Sequence, residues 1–258
     1  YLIAANSTRW KRIIPLVAGG MALGYGALIQ PGSMLFISAI IIYALTCKTL
    51  RARLAIDLVL LLVGMAVVIS PWIARNYSVF GKIVMTTGGG SVLYRANNPL
   101  ATGGYTKRGV VSLQEMSELE ANRKGSDLAI EWISENPAQF LKLALIKQIR
   151  FLGDDSIGAY GSKRSMQKNW QYPLFKGISN LFWIVVWGGV FLSTILALRR
   201  SRGCKPELIL VALCFLYFYG IHSVFESDGK YHFPALGFIA ILASSFVYQL
   251  YRPARIPD

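Results

Sequence analysis

The stretch LAIDLVLLLVGMAVVIS, residues 54–70, carries one charged side chain, Asp57, in an otherwise apolar run. A helix needs about 20 predominantly apolar residues to cross the hydrocarbon core of a bilayer, so this run with its flanks predicts a membrane-spanning helix. The neighbouring Arg51 and Arg53 predict a structural ion pair for Asp57. Further apolar runs lie at 13–29, 178–198, 208–225 and 233–250, and a shorter one at 34–46 fits a short re-entrant helix. The pattern predicts a mainly α fold, a polytopic transmembrane helix bundle.

The composition also favours a membrane protein. Hydrophobic residues make up 54% of the chain and charged residues 16%, whereas soluble domains average about 25% charged residues. The mean hydropathy is +0.45. The net charge of +14 comes largely from Lys and Arg at the ends of the apolar runs, where they meet anionic headgroups. The positive charge does not form a basic stripe on a soluble segment, so we expect membrane lipids and not nucleic acid as partners.

A polar insert separates two groups of apolar runs. Residues 71–175 carry Gly, Asn, Glu, Lys and Arg at the density of a soluble domain. The chain is therefore divided into membrane helices at 1–70, the insert, and membrane helices with a tail at 176–258. Weak alternation at 80–87 predicts a strand, and the patterns at 113–136 and 138–152 predict helices, which makes the insert α/β or mainly α. The basic, amphipathic 138–152 helix fits either the membrane surface or the core of the insert.

Lys and Arg in short loops mark the cytoplasmic side of a membrane protein. The loops at 48–53 and 199–205 and the C-terminal tail are basic, which predicts that they are cytoplasmic. If the 138–152 helix does not cross the membrane, residues 30–33, the insert and 226–232 then lie together on the opposite, extracytoplasmic side.

Polar side chains on this predicted outer side form the candidate site. Arg suits phosphate through its bidentate fork and Lys suits it as a point charge. Arg75 with Lys230 therefore predicts a phosphate site, the alternative being anchors for lipid headgroups. Glu226 and His232 are candidates for base and acid, and the two His and three Cys show no metal-ligand spacing. The predicted donor-phosphate or substrate-binding residues are Arg75, Asn76, Tyr94, Asn97, Asn98, Glu226, Lys230, Tyr231 and His232.

Four segments resemble a known family. Residues 71–81, PWIARNYSVFG, resemble the PWxxRNYxxFG segment of the family 39 bacterial membrane glycosyltransferases, relatives of the dolichyl-phosphate-mannose protein mannosyltransferases and of aminoarabinose transferase. Residues 89–99, GGSVLYRANNP, and 229–236, GKYHFPAL, resemble the GGxxLYxGNNP and xRYHxPxLPF segments of that family. Residues 24–31, GYGALIQP, resemble its GLAxLxRP helix end. The four segments occur in the family's order.

The resemblance implies a C-type glycosyltransferase architecture, an extracytoplasmic active site and a polyprenyl-phosphate-linked sugar as donor. It also implies that Arg75, Lys230 and Tyr231 lie near the donor phosphate or the acceptor. The chain departs from the family at Gln30 and Lys230, where the family has Arg. The family's catalytic carboxylate lies in a first extracytoplasmic loop that has no counterpart here. We therefore expect the catalytic residue upstream of Tyr1, in an N-terminal remainder of the same protein.

These observations predict part of a glycosyltransferase of the bacterial cytoplasmic membrane, a hexosyl- or pentosyltransferase of the cell envelope. It would move a sugar from a polyprenyl phosphate to an extracytoplasmic glycan, lipid or protein. The alternative is a non-enzymatic polyprenyl-lipid carrier, flippase or envelope-polysaccharide assembly subunit. A carrier is expected to hold charges near the membrane midplane, whereas these charges lie at helix ends, which favours the enzyme. The sequence indicates no cofactor and leaves a divalent metal open.

Overall fold

The computed structural model describes residues 9–46, 51–106, 111–199 and 206–251. This part of the chain is mainly helical and contains no strand, which confirms the mainly α prediction. The longer helices are α1 (Arg9–Ile29), α2 (Ile37–Thr46), α3 (Leu54–Phe80), α4 (Gly89–Ala96), α5 (Glu118–Glu135) and α6 (Pro137–Gly153). They are followed by α7 (Ile157–Ser162), α8 (Gln171–Arg199), α9 (Pro206–Val224), the one-turn α10 (Gly229–His232) and α11 (Leu236–Tyr251).

Three helical segments in the described ranges are long and apolar enough to cross a membrane. They are Lys11–Ile29, Leu54–Phe80 and Gln171–Leu196, and Pro31–Thr46 and Leu208–Val224 are shorter apolar segments. The helical, membrane-compatible character predicted from the sequence is thus confirmed by length and composition. The number of crossings and the sides of the loops stay predictions.

The chain forms two compact units, Tyr1–Thr87 and Gly88–Asp258. In the first unit, α1 and α3 pack closely because both present glycines at their contact. A Cβ atom at Gly20 would collide with the carbonyl oxygen of Leu61, and one at Gly64 would collide with the carbonyl oxygen of Val17. Leu16, Ile40 and Leu61 form a buried apolar cluster around this contact.

Asp57 has a different partner from the one predicted. Its carboxylate is buried and accepts a hydrogen bond and ion pair from Arg12, which lies on α1. Arg51 instead donates to the carbonyl oxygen of Leu45 at 2.5 Å. The prediction from sequence proximity was wrong because the close packing of α1 and α3 brings Arg12 across the interface.

Helix α3 does not end at Ser70, as we expected, but continues through Pro71 to Phe80. It ends at Gly81, whose φ of 66° is left-handed and whose N–H donates to the carbonyl oxygen of Tyr77. The strand predicted at 80–87 is also wrong. The side chains of Trp72 and Asn76 donate to the carbonyl oxygens of Met85 and Val84 at 3.0 and 2.9 Å. These bonds hold the segment against the last turns of its own helix, without a partner strand.

In the second unit, the two helices predicted within the insert are present. Helix α5 begins at Ser117, whose N–H and hydroxyl donate to the Glu120 carboxylate at 3.2 and 2.6 Å in a capping box. Helix α6 begins with Pro137. Proline suits the first turn of a helix because an N–H at this position would have no acceptor within the helix. Helices α8 and α11 pack through a cluster of Trp183, Val186 and Ile239.

Candidate functional site

The short helix α4 carries the first side chains of the candidate site. The glycines that begin this helix allow it to pack closely on α5. The N–H of Gly90 donates to the Asn122 side chain at 2.7 Å, and a Cβ atom at Gly90 would collide with the Asn122 carbonyl oxygen. Gly89 and Gly90 therefore begin a packed helix. The packing fixes the direction in which Arg95, one turn later, leaves the helix.

Three predicted binding residues around α4 are buried and bind the backbone. The Asn98 amide donates to the Tyr94 carbonyl oxygen at 2.8 Å, which closes the C-terminal end of α4. The Asn97 amide donates to the carbonyl oxygens of Leu93 and Val224 at 2.9 and 2.8 Å. The Tyr94 hydroxyl accepts the N–H of Val111 at 3.0 Å. These side chains therefore hold the backbone around the site in place through hydrogen bonds within the protein.

Arg95 and Glu226 form the centre of the site, although 131 residues separate them in the sequence. The guanidinium donates twice to the carboxylate, at 2.9 and 3.1 Å, in a bidentate pair. The Tyr231 hydroxyl donates to the same carboxylate at 2.6 Å. Glu226 is only 4% exposed, so its charge needs these donors to remain buried. Arg95 and Tyr231 thus hold Glu226 as an ionised, fully engaged side chain.

The electrostatics of this centre follow from the same contacts. Burial alone would raise the pKa of Glu226, but the hydrogen bonds from Arg95 and Tyr231 and the charge of Arg95 lower it overall. Burial and the bond to Glu226 both raise the pKa of Tyr231. Burial opposes the charge of Arg95, yet the pair with Glu226 raises the pKa of Arg95 overall. Glu226 is therefore a weak proton acceptor at neutral pH.

Lys230 and Tyr105 form the exposed edge of the same centre. The Lys230 ammonium lies 4.6 Å from the ring centroid of Tyr231 and 5.7 Å from that of Tyr105. The Arg95 guanidinium carbon lies 4.7 Å from the Tyr105 centroid. The charge of Lys230 also contributes to lowering the pKa of Glu226, although among the described residues no carboxylate lies within 4 Å of its ammonium. We call Arg95, Tyr105, Glu226, Lys230 and Tyr231 the Arg95–Glu226 cluster.

The charges of this cluster do not cancel. Glu226 neutralises Arg95, and Lys230 adds a positive charge that is open to solvent. Arg150 and Asp228, 3.9 Å apart, form a half-exposed pair beside it. An exposed ammonium next to a half-buried guanidinium that Glu226 holds in place is an arrangement that attracts an anionic group such as phosphate.

His232 has an internal position. It is 2% exposed, and its ring stacks on Trp183 with centroids 4.1 Å apart. Its Nδ1 lies 2.7 Å from the Phe151 carbonyl oxygen and its Nε2 lies 3.1 Å from an Asp155 carboxylate oxygen. Both ring nitrogens therefore face protein oxygen atoms, and the ring ties the end of α6 to α10. This geometry is that of an anchoring residue.

Arg75 and Asn76 lie in the first unit, on the last turns of α3. The Arg75 guanidinium donates to the Asn76 side chain at 2.9 Å and lies 5.3 Å from the Trp72 ring centroid. Arg75 is exposed and Asn76 is buried. Because Arg75 and Lys230 belong to different units, their joint phosphate site stays a prediction.

Four contributors to the site were not among the predicted binding residues: Arg95, Tyr105, Lys147 and Asp155. Lys147 had a detectable signal, since Leu143 and Phe151, one turn away on either side, are apolar and place it on an apolar face. Arg95 lies within the 89–99 segment, between the predicted binding residues Tyr94 and Asn97, whereas Tyr105 had no signal in the sequence. Among the described residues, no group of three or more His, Cys, Asp or Glu side chains is placed to hold a metal ion.

Comparison with known proteins gives no relative: no family model, no curated protein and no solved structure matches this chain. The resemblance to the family 39 glycosyltransferases therefore stays a prediction. The segments that carry this resemblance contribute Arg95, Lys230 and Tyr231 to the Arg95–Glu226 cluster.

Proposed function

We propose that this chain is part of a membrane glycosyltransferase that takes its sugar from a polyprenyl-phosphate donor and transfers it to an extracytoplasmic acceptor. The observation that carries the proposal is the position of Lys230. Its solvent-exposed ammonium and the Arg95 guanidinium both lie close to the Tyr105 ring, in a chain whose described part has three helices apolar enough to cross a membrane. A lipid-linked phosphate has the two properties that such a chain recognises, an apolar tail and an anionic head.

The cluster supports a role at the leaving group. When the acceptor attacks the anomeric carbon, the bond to the phosphate oxygen breaks and negative charge grows on the lipid phosphate. Cationic groups that are already in place stabilise that charge without reorganisation. Lys230 supplies the exposed charge, and Arg95, whose charge Glu226 balances, supplies oriented N–H donors.

Glu226 serves in this proposal as the anchor of Arg95 and not as the catalytic base. Its carboxylate already accepts three hydrogen bonds, and its lowered pKa makes it a poor acceptor for the proton of the attacking hydroxyl. The base that deprotonates this hydroxyl is not assigned to any described residue.

The test is sugar transfer by the whole protein in lipid nanodiscs, with defined polyprenyl-phosphate sugars and with or without chelator. Lys230→Met is expected to reduce transfer by at least tenfold, because it removes the exposed positive charge that stabilises the leaving phosphate. A tenfold loss corresponds to about 1.4 kcal/mol of transition-state stabilisation. Lys142→Met, which removes an exposed lysine from α6, is the matched control and is expected to leave transfer unchanged. Arg75→Ala tests the predicted contribution of the first unit.

Unchanged transfer in Lys230→Met would contradict the assigned role of Lys230. Binding of the lipid phosphate without any transfer to an acceptor would instead support the non-enzymatic carrier.

A further inference from the structure

Lys147 on α6 is a completely buried lysine whose neighbours are neutral oxygen atoms. Its relative exposure is 0%. Its ammonium donates to the Asn97 side-chain oxygen at 2.8 Å and to the carbonyl oxygens of Val224 and Ser223 at 2.9 and 3.3 Å. An ammonium has three N–H donors, so each of them has an acceptor. Burying such a charge is costly, which makes its location informative.

Two of these acceptors are the last carbonyl groups of a helix. Helix α9 ends at Val224, and the last four carbonyl groups of a helix have no partner within it. A cation at this end also interacts favourably with the helix dipole. Asn97 completes the arrangement, since its amide donates to the Val224 carbonyl oxygen at 2.8 Å while its oxygen accepts from Lys147. Lys147 and Asn97 together cap the C-terminal end of α9.

The capped end leads directly to the candidate site. Glu226 follows Val224 by two residues, and His222 lies 2.9 Å, through its Nδ1, from the Glu226 carbonyl oxygen. The direction in which the chain leaves α9 therefore decides where the Glu226 carboxylate meets Arg95. A displaced helix end would move the carboxylate and with it the guanidinium that it orients.

We propose that Lys147 is a positioning residue, which with Asn97 caps α9 and thereby places Glu226 to hold Arg95 in the anion-binding cluster. Lys147 touches neither the exposed edge of the cluster nor solvent, so it acts through Glu226. That the cap places Glu226 follows from the contacts described above. That it thereby affects the binding of a lipid phosphate rests on the proposed function.

The position of Lys147 also makes the cap sensitive to alkaline pH. Burial lowers the pKa of Lys147 to about 8, and the charge of Glu226 opposes this shift. Glu226 and His222 are the described titratable groups whose charges interact with Lys147, and the Phe140 ring lies on another side, 5.9 Å away. When pH rises through about 8, the ammonium loses its charge and one of its three donors. The cap weakens in that direction.

A ligand-free measurement tests the cap by itself. Hydrogen exchange of the whole protein in nanodiscs, followed by mass spectrometry, compares wild type with Lys147→Met and with Lys142→Met. Lys147→Met is expected to speed amide exchange at residues 225–232, whereas Lys142→Met, which replaces an exposed lysine of the same helix, is expected to leave it unchanged. Equal protection of 225–232 in all three proteins would overturn the cap.

A binding measurement tests the positioning role. Calorimetric titration with farnesyl phosphate, and with farnesol as the phosphate-free control, is carried out between pH 6.5 and 9.5. Wild-type affinity is expected to fall as pH passes about 8. Lys147→Met is expected to bind about tenfold more weakly at pH 7, because a displaced Glu226 carboxylate no longer holds the Arg95 guanidinium in place. Lys147→Arg keeps its charge across this range and is expected to lose the alkaline decline.

The two proposals fail in different ways. If wild type binds farnesyl phosphate no better than farnesol, the proposed function fails and the exchange experiment still decides the cap. If wild type binds the phosphate but Lys147→Met keeps its affinity and its alkaline decline, the positioning role fails and the proposed function stands.

Discussion

Glu226 is the residue on which the candidate site depends. Alone in the interior, its carboxylate would be unstable, and the site exists because Arg95 and Tyr231 reach it from two other segments. Breaking a buried pair by removing one partner is more damaging than removing both, since the remaining charge is left without compensation. This asymmetry separates a pair with a buried carboxylate from a surface contact, which contributes little.

We expect Arg95→Met to lower the free energy of unfolding by about 3 kcal/mol, because it leaves the Glu226 carboxylate buried and unpaired. The double variant Arg95→Met/Glu226→Gln removes the stranded charge, and its loss is expected to be smaller than that of the single variant. Denaturation of the detergent-solubilised protein measures these two variants and the single variant Glu226→Gln. Additive losses from the two substitutions would show that the residues do not act as a pair.

Among the elements, α1 and α3 show how glycine placement decides helix packing. Their closest approach is at Gly20 and Gly64, where no Cβ atom fits beside the facing carbonyl oxygens. Small residues at a helix contact let two backbones approach closely, which is a recurring device between helices in membranes. The sequence shows a Gly-rich α1, but it does not show which glycine faces α3.

Gly20→Ala is expected to destabilise the protein by about 1–3 kcal/mol, since the added methyl group overpacks the α1–α3 contact. Gly26→Ala is the matched control on the same helix. Nothing lies within 4 Å of a Cβ atom at Gly26, and alanine there favours the helix by about 0.5–1 kcal/mol. Thermal unfolding in detergent measures both variants. Equal effects at the two positions would contradict the close contact.

Helix α6 presents two different faces. Leu143, Lys147 and Phe151 are buried, whereas Leu141, Leu145 and Ile149 are exposed. The periodicity predicted an amphipathic helix, and the exposed apolar face fits the membrane-surface interpretation. The contacts of Lys147 and Gln148 with α9 also make α6 part of the packed fold.

For the whole molecule, the arrangement in a membrane is a prediction from the charges of the loops. The basic loops at 48–53 and 199–205 are expected to be cytoplasmic and the insert extracytoplasmic. The positions of Cys47 and Cys204 lie outside the described residues, but their predicted side is testable. Cys214 is buried and does not interfere.

A membrane-impermeant thiol reagent checks this topology in intact cells. Thr102→Cys, in the insert, is expected to react from outside, whereas Cys47 and Cys204 are expected to react only after the membrane is permeabilised. A variant with Cys47 and Cys204 replaced by Ser provides the background. The predicted orientation would be wrong if Cys47 reacted in intact cells or if the thiol introduced by Thr102→Cys were protected.

The helical, membrane-compatible class of this protein follows from the sequence, because its causes are local. Long apolar runs and Pro137 act within one or two turns of chain, so the pattern predicted the helices that they form. The Ser117–Glu120 capping box was overlooked, and the helix predicted from residue 113 therefore begins only at Glu118. The strand at 80–87 failed because the side chains of Trp72 and Asn76, on the preceding helix, take up the carbonyl groups of that segment.

The candidate site was decided by tertiary structure. Arg95 and Glu226 are 131 residues apart, and Lys147 is placed at the end of α9 by the packing of α6. Periodicity shows that a helix has a buried face, but it does not show which distant element covers that face. A charged side chain on such a face finds its partner only when the helices pack, and the partner then decides whether the charge anchors the fold or is left free to bind an anion.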